Sequence, residues 1–457
     1  TPLWMRSTVP IPNSLLRMHL TNVALMEPLK EAELEVNQTA MVLGGGISGM
    51  AAARSLARQG YETHIIEKTA QLGGQALNLF RTAEGEDVRE KINGYIDEIN
   101  KNEKIHVHLN TTITHVDGFV GNFESELSSN SETQILKHGV AVLATGASEL
   151  KPQEYHYGKD PRILTNLDLD KKFIEKDPVL ENLTSAVFIQ CVGSRKPQRP
   201  YCSRVCCAHS IESALELKRR RPDMNVFILY RDIRTYGEQE YLYQKARKAG
   251  ILFIRFSLNN KPEVHLNQGQ LRVKTRDHIL DRPLEISADL VTLACAIVPN
   301  RDEKLANFFK VPMNDDGFFV EKHAKLGPSE FATDGVFLCG MAHYPKPIDE
   351  SIAQGLAAAS RAVTLLSRKN IFMSGTVAMT NPAYCSSCGV CISVCPYSAA
   401  SFIPEDDRFF PGRAQINPVL CKGCGLCVAS CRSGAIHLKG FDNDQIFAQI
   451  FSLNEVG

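Results

Sequence analysis

Fourteen cysteines carry most of the chemistry available to this chain, and they are clustered: eight fall between Cys385 and Cys431 and four between Cys191 and Cys207, with only Cys295 and Cys339 apart. The spacing C-x2-C-x2-C-x3-C occurs twice. The first copy is Cys385, Cys388, Cys391 and Cys395, followed by Pro396; the second is Cys421, Cys424, Cys427 and Cys431, followed by Arg432. Thiolates at these gaps suit iron–sulfur ligation, and in this double run the fourth cysteine of each copy serves the other cluster. One 4Fe–4S cluster is therefore expected on Cys385, Cys388, Cys391 and Cys431, and another on Cys421, Cys424, Cys427 and Cys395. Zinc is the bland alternative, but zinc pairs rarely repeat a triple spacing. The intervening Gly389, Val390, Gly423, Gly425 and Leu426 are small or apolar and let backbone N–H groups approach the sulfurs.

A second site lies near the start. The strand-like run Thr39–Leu43 leads into Gly44-Gly45-Gly46-Ile47-Ser48-Gly49, then a helix to Arg58 and a strand ending at Glu67. Gly44 permits the tight turn, Gly46 the close approach of a pyrophosphate, and Gly49 close helix–strand packing. The helix N-terminus offers unpaired N–H groups to phosphate, and Glu67 can accept from ribose hydroxyls. Plain chain reversal also uses glycine-rich turns, but the strand–turn–helix context with a following acid favours a dinucleotide. Gly73-Gly74, Ala144-Thr145-Gly146 and the run Thr333–Gly340 ahead of a helix near Asp349 resemble the two-dinucleotide-domain flavoproteins, which include thioredoxin reductase. That resemblance implies FAD, with the N-terminus of the late helix, Glu350 to Ala353, facing the flavin and favouring a reduced, anionic form. Read plainly, Asp349 and Ser351 are ordinary helix caps.

A second βαβ unit starts at Ser185. In such flavoproteins it binds a nicotinamide, yet here the strand Ala186–Gln190 runs into Cys191-Val192-Gly193-Ser194-Arg195, without the glycine fingerprint. Cys191, Cys202, Cys206 and Cys207 stand in place of the phosphate loop. Thiolates repel pyrophosphate and bind soft metals, so a further cluster is expected there. The alternative is a set of buried free cysteines with a redox dithiol. Arg195, Lys196, Arg199 and Arg204 lie close by, either offsetting the cluster's negative charge or simply solvated.

The rest of the chain has to position these sites. Its 457 residues suggest about three domains, and 44% hydrophobic with 22% charged residues is ordinary for a globular protein. Lys+Arg and Asp+Glu both number 51, which excludes a globally basic nucleic-acid binder. No apolar run reaches the ~20 residues of a membrane span, and 14–26 lacks the apolar core of a signal peptide. Clustered thiols in a long chain point to a reducing, cytoplasmic compartment. Expected elements are an arm helix over 15–29, a helix over 87–100, strands near 105–109, 112–116 and 140–144, a helix over 205–218 and a strand over 225–230. Strand-rich sequence to Ile297, a helix over 349–367 and a tail helix over 444–451 follow. The fold class is α/β: two Rossmann-like dinucleotide-binding domains plus a C-terminal α+β dicluster ferredoxin domain. The expected boundaries are 1–38 for a docking arm, 39–158 and 299–370 for the FAD domain, 159–298 for the cysteine-bearing Rossmann-like domain, 371–440 for the ferredoxin domain, and 441–457 for a tail.

Together these motifs resemble the heterodisulfide reductase A-subunit family. The likeness rests on the Ala40–Leu43 strand with its glycine turn, on Phe188–Arg195 and Tyr201–Cys207, on Ile228–Gly237, and on the terminal dicluster module. It implies FAD contacts at Gly44, Gly46, Gly49, Glu67, Gly73, Gly74, Ile113, Gly146, Gly340, Ser351 and Ile352, and three 4Fe–4S clusters in all. It also implies an electron-transfer subunit of a hetero-oligomeric complex, membrane-free or membrane-associated, working with other redox subunits and splitting electron pairs in some members. Two departures stand out. The segment Gln75–Lys104 holds no cysteine, so an inserted ferredoxin domain of some members is absent. Glu212 also occupies a position where some members place a lysine, and an anion near the flavin would disfavour its reduced, negative forms. The rival functions are a self-contained NAD(P)H-dependent flavin oxidoreductase and a non-catalytic iron–sulfur scaffold. No side-chain constellation reads as a catalytic triad or acid–base pair.

Overall fold

The computed structural model describes residues 13–454 apart from 27, 30, 32, 130–131, 268, 278, 280, 373–374 and 404–411. The first twelve residues of the expected arm lie outside the described residues. The chain forms two units, Asn37–Ser367 and a second made of Thr1–Val36 with Arg368–Gly457.

Within Asn37–Ser367, near-continuous apolar runs form two parallel sheets buried on both faces. The first has the order Val336–Leu338, Val140–Leu143, Ala40–Leu43, Thr63–Ile66, Ile105–His108. Helices Ile47–Arg58, Val88–Lys101 and Ile348–Leu366 cover one face, and an antiparallel meander of Thr111–Phe119, Asn122–Ser129 and Glu132–His138 packs on the other. Two helices approach closely because their contact residues are small: a Cβ on Gly355 would lie 2.4 Å from the Ser48 carbonyl oxygen, and Ala358, Ala359 and Ala362 are fully buried. Asp87 caps Val88–Lys101 by accepting from the Arg89 and Glu90 N–H groups.

The second sheet has the order Ile163–Thr165, Leu290–Cys295, Ser185–Val192, Asn225–Tyr230, Leu252–Arg255, again all parallel. Helices Asn166–Glu175, Cys206–Arg220 and Gln239–Lys248 accompany it. An antiparallel ribbon, Ala147–Glu149 with Ile297–Pro299, carries the chain out of and back into the first domain. Two helices depart from expectation. Gln239–Lys248 lies in the stretch read as strand-rich; it buries only Leu242 and Ala246, one i,i+4 pair among charged residues, which leaves a faint apolar period. Asn166–Glu175 is the second; its start is a capping box of Thr165 and Asp168.

In the other unit the strand Glu33–Glu35 pairs antiparallel with Asn370–Phe372, so the division falls at 367/368 rather than within that strand at 370/371. The helix Asn13–Ala24 packs on the tail helix Asn443–Asn454, and the Gln445 side-chain amide donates to the Leu25 carbonyl at 3.0 Å. The expected arm helix is thus shorter than 15–29, and the arm joins the ferredoxin module through backbone pairing. That module is two short hairpin-like pairs, Ala378–Thr380 with Ile436–Leu438 and Ala400–Ile403 with Arg413–Ile416, around the helices Val390–Val394 and Leu426–Ser430. Among the described residues no helix is long and apolar enough to cross a membrane.

Candidate functional site: a glycine-floored cavity and three groups of thiols

A cavity of about 450 Å³ opens at the C-terminal ends of the first sheet, where open α/β sheets bind ligands. Its floor is the glycine turn. Gly44 has φ +111°, and a Cβ there would lie 2.3 Å from the Ala144 carbonyl oxygen. A Cβ on Gly49 would lie 2.0 Å from the Gly44 oxygen, so this glycine is required for packing. Gly46 differs: its φ of −74° suits any residue, and a Cβ there meets no atom within 4 Å. Its freedom faces the cavity, which is where a pyrophosphate would need the room.

Glu67 is buried beside this turn. Its Oε2 accepts from the Gly45 N–H at 2.7 Å, and its Oε1 from the Thr69 N–H and hydroxyl, both at 2.8 Å. Each carboxylate oxygen accepts about two hydrogen bonds, so one lone pair on Oε2 is left for a ribose hydroxyl. Gly44, Gly46, Glu67, Gly73, Gly74, Gly146 and Ser351 line the cavity. Four expected contacts do not. Gly49 packs against Gly44, and Gly340 sits where a Cβ would meet the Ser48 hydroxyl at 2.3 Å. Ile113 and Ile352 pack partly buried against the two cores flanking the sheet. The late helix starts at Ile348 after Pro347, so Asp349 and Ser351 are first-turn residues on the cavity wall and not caps.

Charged residues without a sequence motif also line the wall. Lys346 is 3% exposed; its Nζ donates to the Gly340 carbonyl at 2.9 Å and to the Gln354 amide oxygen, and sits 3.9 Å from the Tyr344 ring centroid. Burial lowers it to about 7. A lone lysine in a Pro-Lys-Pro turn carries no sequence signal of burial. Glu212 is on the wall too, but Arg219 pairs with it; burial nonetheless raises its carboxyl. The anion expected there from sequence is therefore countered by a cation about two turns on.

The cavity continues to Cys206. Cys206 and Cys207 are the first two residues of helix Cys206–Arg220, the position that receives phosphate in a dinucleotide-binding unit. Cys191 lies near the end of the facing strand with φ +62°, a left-handed conformation costly for a side-chain-bearing residue. Burial drives Cys206 well above the ordinary thiol range, and Cys207, Cys191 and Cys202 add repulsion. Cys207 is pushed up to about 11 chiefly by burial. The Arg204 N–H points at the Cys202 sulfur at 3.4 Å, and the Arg195 guanidinium lies 4.0 Å from the Cys191 sulfur. Burial thus favours the neutral thiol at Cys191, Cys206 and Cys207. Among the described residues no three cysteine sulfurs lie within 4.8 Å of one another.

The basic residues around this loop have partners. Arg195 pairs with Asp232, Lys196 with Glu154, and Arg199 donates to the Gly193 carbonyl at 2.6 Å. Arg204 grips Glu350 through two bonds of 2.9 Å, tying the cysteine loop to the first turn of Ile348–Leu366.

In the other unit the eight thiols sort into two groups. Cys391 is raised by burial and by Cys385 and Cys388, and Cys388 in turn feels Cys431. Cys427 is pushed up to about 11 by burial, then by Cys421, Cys395 and Cys424. Backbone N–H groups of Ala378, Ala399 and Ala414 point at the sulfurs of Cys421, Cys395 and Cys385 at 3.3–3.5 Å. The repeat extends to the backbone: Ser387 and Gly423, Gly389 and Gly425, and Ser398 and Gly434 are matched left-handed residues.

Two parts of the chain match known families. Residues 38–178 match the pyridine nucleotide-disulphide oxidoreductase family, and residues 384–435 match the 4Fe-4S dicluster domain, which makes this a flavin and iron–sulfur chain. The A subunit of the H(2):CoB-CoM heterodisulfide,ferredoxin reductase of Methanothermobacter marburgensis is 30% identical over 96% of this chain and 80% of its own. An iron-sulfur A subunit of the CoB--CoM heterodisulfide reductase of Methanopyrus kandleri is 28% identical over 86% and 74%. In fold, Lactococcus lactis thioredoxin reductase superposes with a TM-score of 0.51 at 18% identity, covering 72% of this chain and 99% of its own.

Proposed function

Because the chain belongs to the family of heterodisulfide reductase A subunits, we propose that it serves as the flavin- and iron–sulfur-bearing electron-transfer subunit of a larger oxidoreductase. FAD exchanges electrons in pairs and iron–sulfur clusters exchange them singly, which is the chemistry the two kinds of site supply when loaded. The observation that carries the reading is that Cys206 and the glycine turn line one cavity. Gly44, Gly46, Gly73, Gly74 and Gly146 would hold the cofactor's backbone, and Glu67 would orient its ribose. Cys191, Cys202, Cys206 and Cys207 would hold one cluster. Cys385, Cys388, Cys391 and Cys431 would hold a second, and Cys395, Cys421, Cys424 and Cys427 a third.

The rival, a self-contained NAD(P)H oxidoreductase, needs a phosphate loop where the chain instead sets two cysteines at the helix start. The pairing of Glu212 with Arg219 leaves electron bifurcation open as a finer mode of the same function. Exposed Leu16, Leu20 and Val23 on one terminal helix and Phe447, Ile450 and Phe451 on the other are suited to docking partner redox subunits. The free cysteines suit a reducing compartment, the cytoplasm.

Metal, acid-labile sulfide and flavin analysis of the purified chain tests the reading: about twelve irons per FAD are expected from three four-iron clusters. Dithionite should bleach the flavin, and NAD(P)H alone should not. Bleaching by NAD(P)H, or zinc in place of iron at 191–207, would overturn it.

A further inference from the structure

A buried cation normally has a carboxylate beside it, because leaving an ammonium in a low-dielectric wall is costly. Lys346 has other company: a carbonyl, an amide oxygen, the His343 Nδ1 at 3.5 Å and the face of Tyr344. Its hydrogen bonds are made, but none of these partners carries a negative charge.

The charged groups around it are already committed to one another. Glu350, from the first turn of Ile348–Leu366, is held by Arg204 of the cysteine loop. Glu321 accepts from the His343 Nε2 at 2.8 Å. Cys339, at the end of the strand below, is a thiol that burial pushes up to about 12 and so keeps neutral. Asp349, on the same wall, is raised by burial and by Glu84 and Glu86, with Lys91 opposing. What Lys346 does have is the cavity whose floor is Gly44 and Gly46. Its backbone neighbours are fixed there by Gly340, whose N–H donates to the same Gln354 oxygen at 3.0 Å.

We propose that Lys346 is the titrating counter-charge of the flavin cavity, taking up a proton as negative charge arrives there and so tying the cofactor's potential to pH. The inference rests on the flavin reading of this site. With flavin bound, two electrons arriving from the iron–sulfur centres would bring one proton onto the cofactor itself. Near neutral pH and above, a second proton passes from solvent to the neutral Nζ, which becomes an ammonium; no bond to the cofactor forms. At lower pH the Nζ already holds that proton, which matches the burial-lowered basicity noted above.

The test is a redox titration of the flavin in the full, cofactor-loaded chain between pH 6 and 9, with the iron–sulfur absorbance subtracted. One proton per electron pair is about 30 mV per pH unit, so the wild type should steepen from about 30 to about 60 mV per unit above roughly pH 7. Lys346→Met should lose the steepening and lower the pH 6 equilibrium at least tenfold, about 30 mV for two electrons. Lys346→Arg, permanently charged, should keep the pH 6 potential and also lose the steepening. Flavin and iron content measured on each preparation separate loss of the cofactor from loss of the effect. Variants that bind flavin and keep the wild-type slope and potential would overturn the inference. If Lys346→Met does not fold, Lys346→Arg alone decides. A wild type that carries no flavin would instead bring down the cofactor reading beneath it.

Discussion

Two glycines three residues apart should respond in opposite ways to one added methyl group. At Gly46 the backbone already has an alanine-compatible φ of −74°, and the new Cβ has no neighbour within 4 Å. Gly46→Ala should therefore fold normally, and with fewer unfolded conformations to lose it should gain about 0.4–1 kcal/mol in the flavin-free state. The same methyl stands in the space reserved for the pyrophosphate. Tenfold weaker flavin binding corresponds to about 1.4 kcal/mol, and at least that loss is expected. Gly49→Ala places its Cβ 2.0 Å from the Gly44 carbonyl oxygen, well inside ordinary contact. The helix has to move off the strand, an overpacking cost of about 1–3 kcal/mol or more before any cofactor is considered. Thermal unfolding of the flavin-stripped proteins, beside the flavin-to-protein ratio as purified, separates the two effects. A Gly46→Ala protein that retains wild-type flavin would refute the assignment of that space to the cofactor. A Gly49→Ala protein as stable as wild type would refute the packing argument.

Other outcomes follow from the same geometry. Cys206→Ala should lower iron from about twelve to about eight per chain while the ferredoxin clusters keep their spectrum, measured by iron analysis with electron paramagnetic resonance. Ser398→Gly relieves a left-handed φ of 49° and should stabilise the cluster-bearing unit by about 1 kcal/mol, whereas Gly423→Ala adds a Cβ 2.5 Å from the Thr376 carbonyl oxygen and should destabilise it; cluster bleaching against denaturant reads both. His138 is fully buried between the Ser125 hydroxyl at 2.8 Å and the Val140 carbonyl at 2.9 Å, and burial lowers it to about 4. The unfolded chain binds that proton below about 6.5 and the folded chain only below about 4, so this contribution is complete above 6.5 and is lost as pH falls to 4. Replacing His138 by Gln should flatten that limb of the stability–pH curve, and an unchanged limb would exclude His138 as its source.

The readable part of this protein is the part in which one residue type has one job. The glycine turn, the two cysteine runs and the apolar strands each state their geometry locally, and the strand Asn225–Tyr230 lies within the bounds that apolar patterning suggests. What stays hidden depends on partners that no local sequence pattern announces. Lys346 looks like any surface lysine until Gly340 and Gln354 are brought to it, and Arg204 reaches across 146 positions to Glu350. Gln239–Lys248 is hidden for a different reason, a single buried i,i+4 pair among charges. Ile113 and Ile352 are expected at the flavin from family likeness alone, and their side chains pack partly buried against the two cores flanking the first sheet.

The pairing of Glu33–Glu35 with Asn370–Phe372, and of the helices Asn13–Ala24 and Asn443–Asn454, also sets an order of events during synthesis. Glu33 leaves the ribosome 337 positions ahead of its partner Asn370, and the Leu25 carbonyl waits for a glutamine 420 residues away. Closing a span that long is slow, although its entropic cost grows only with the logarithm of its length. The flavin half can therefore mature while translation continues. Cys431 is synthesised after every strand of the two parallel sheets.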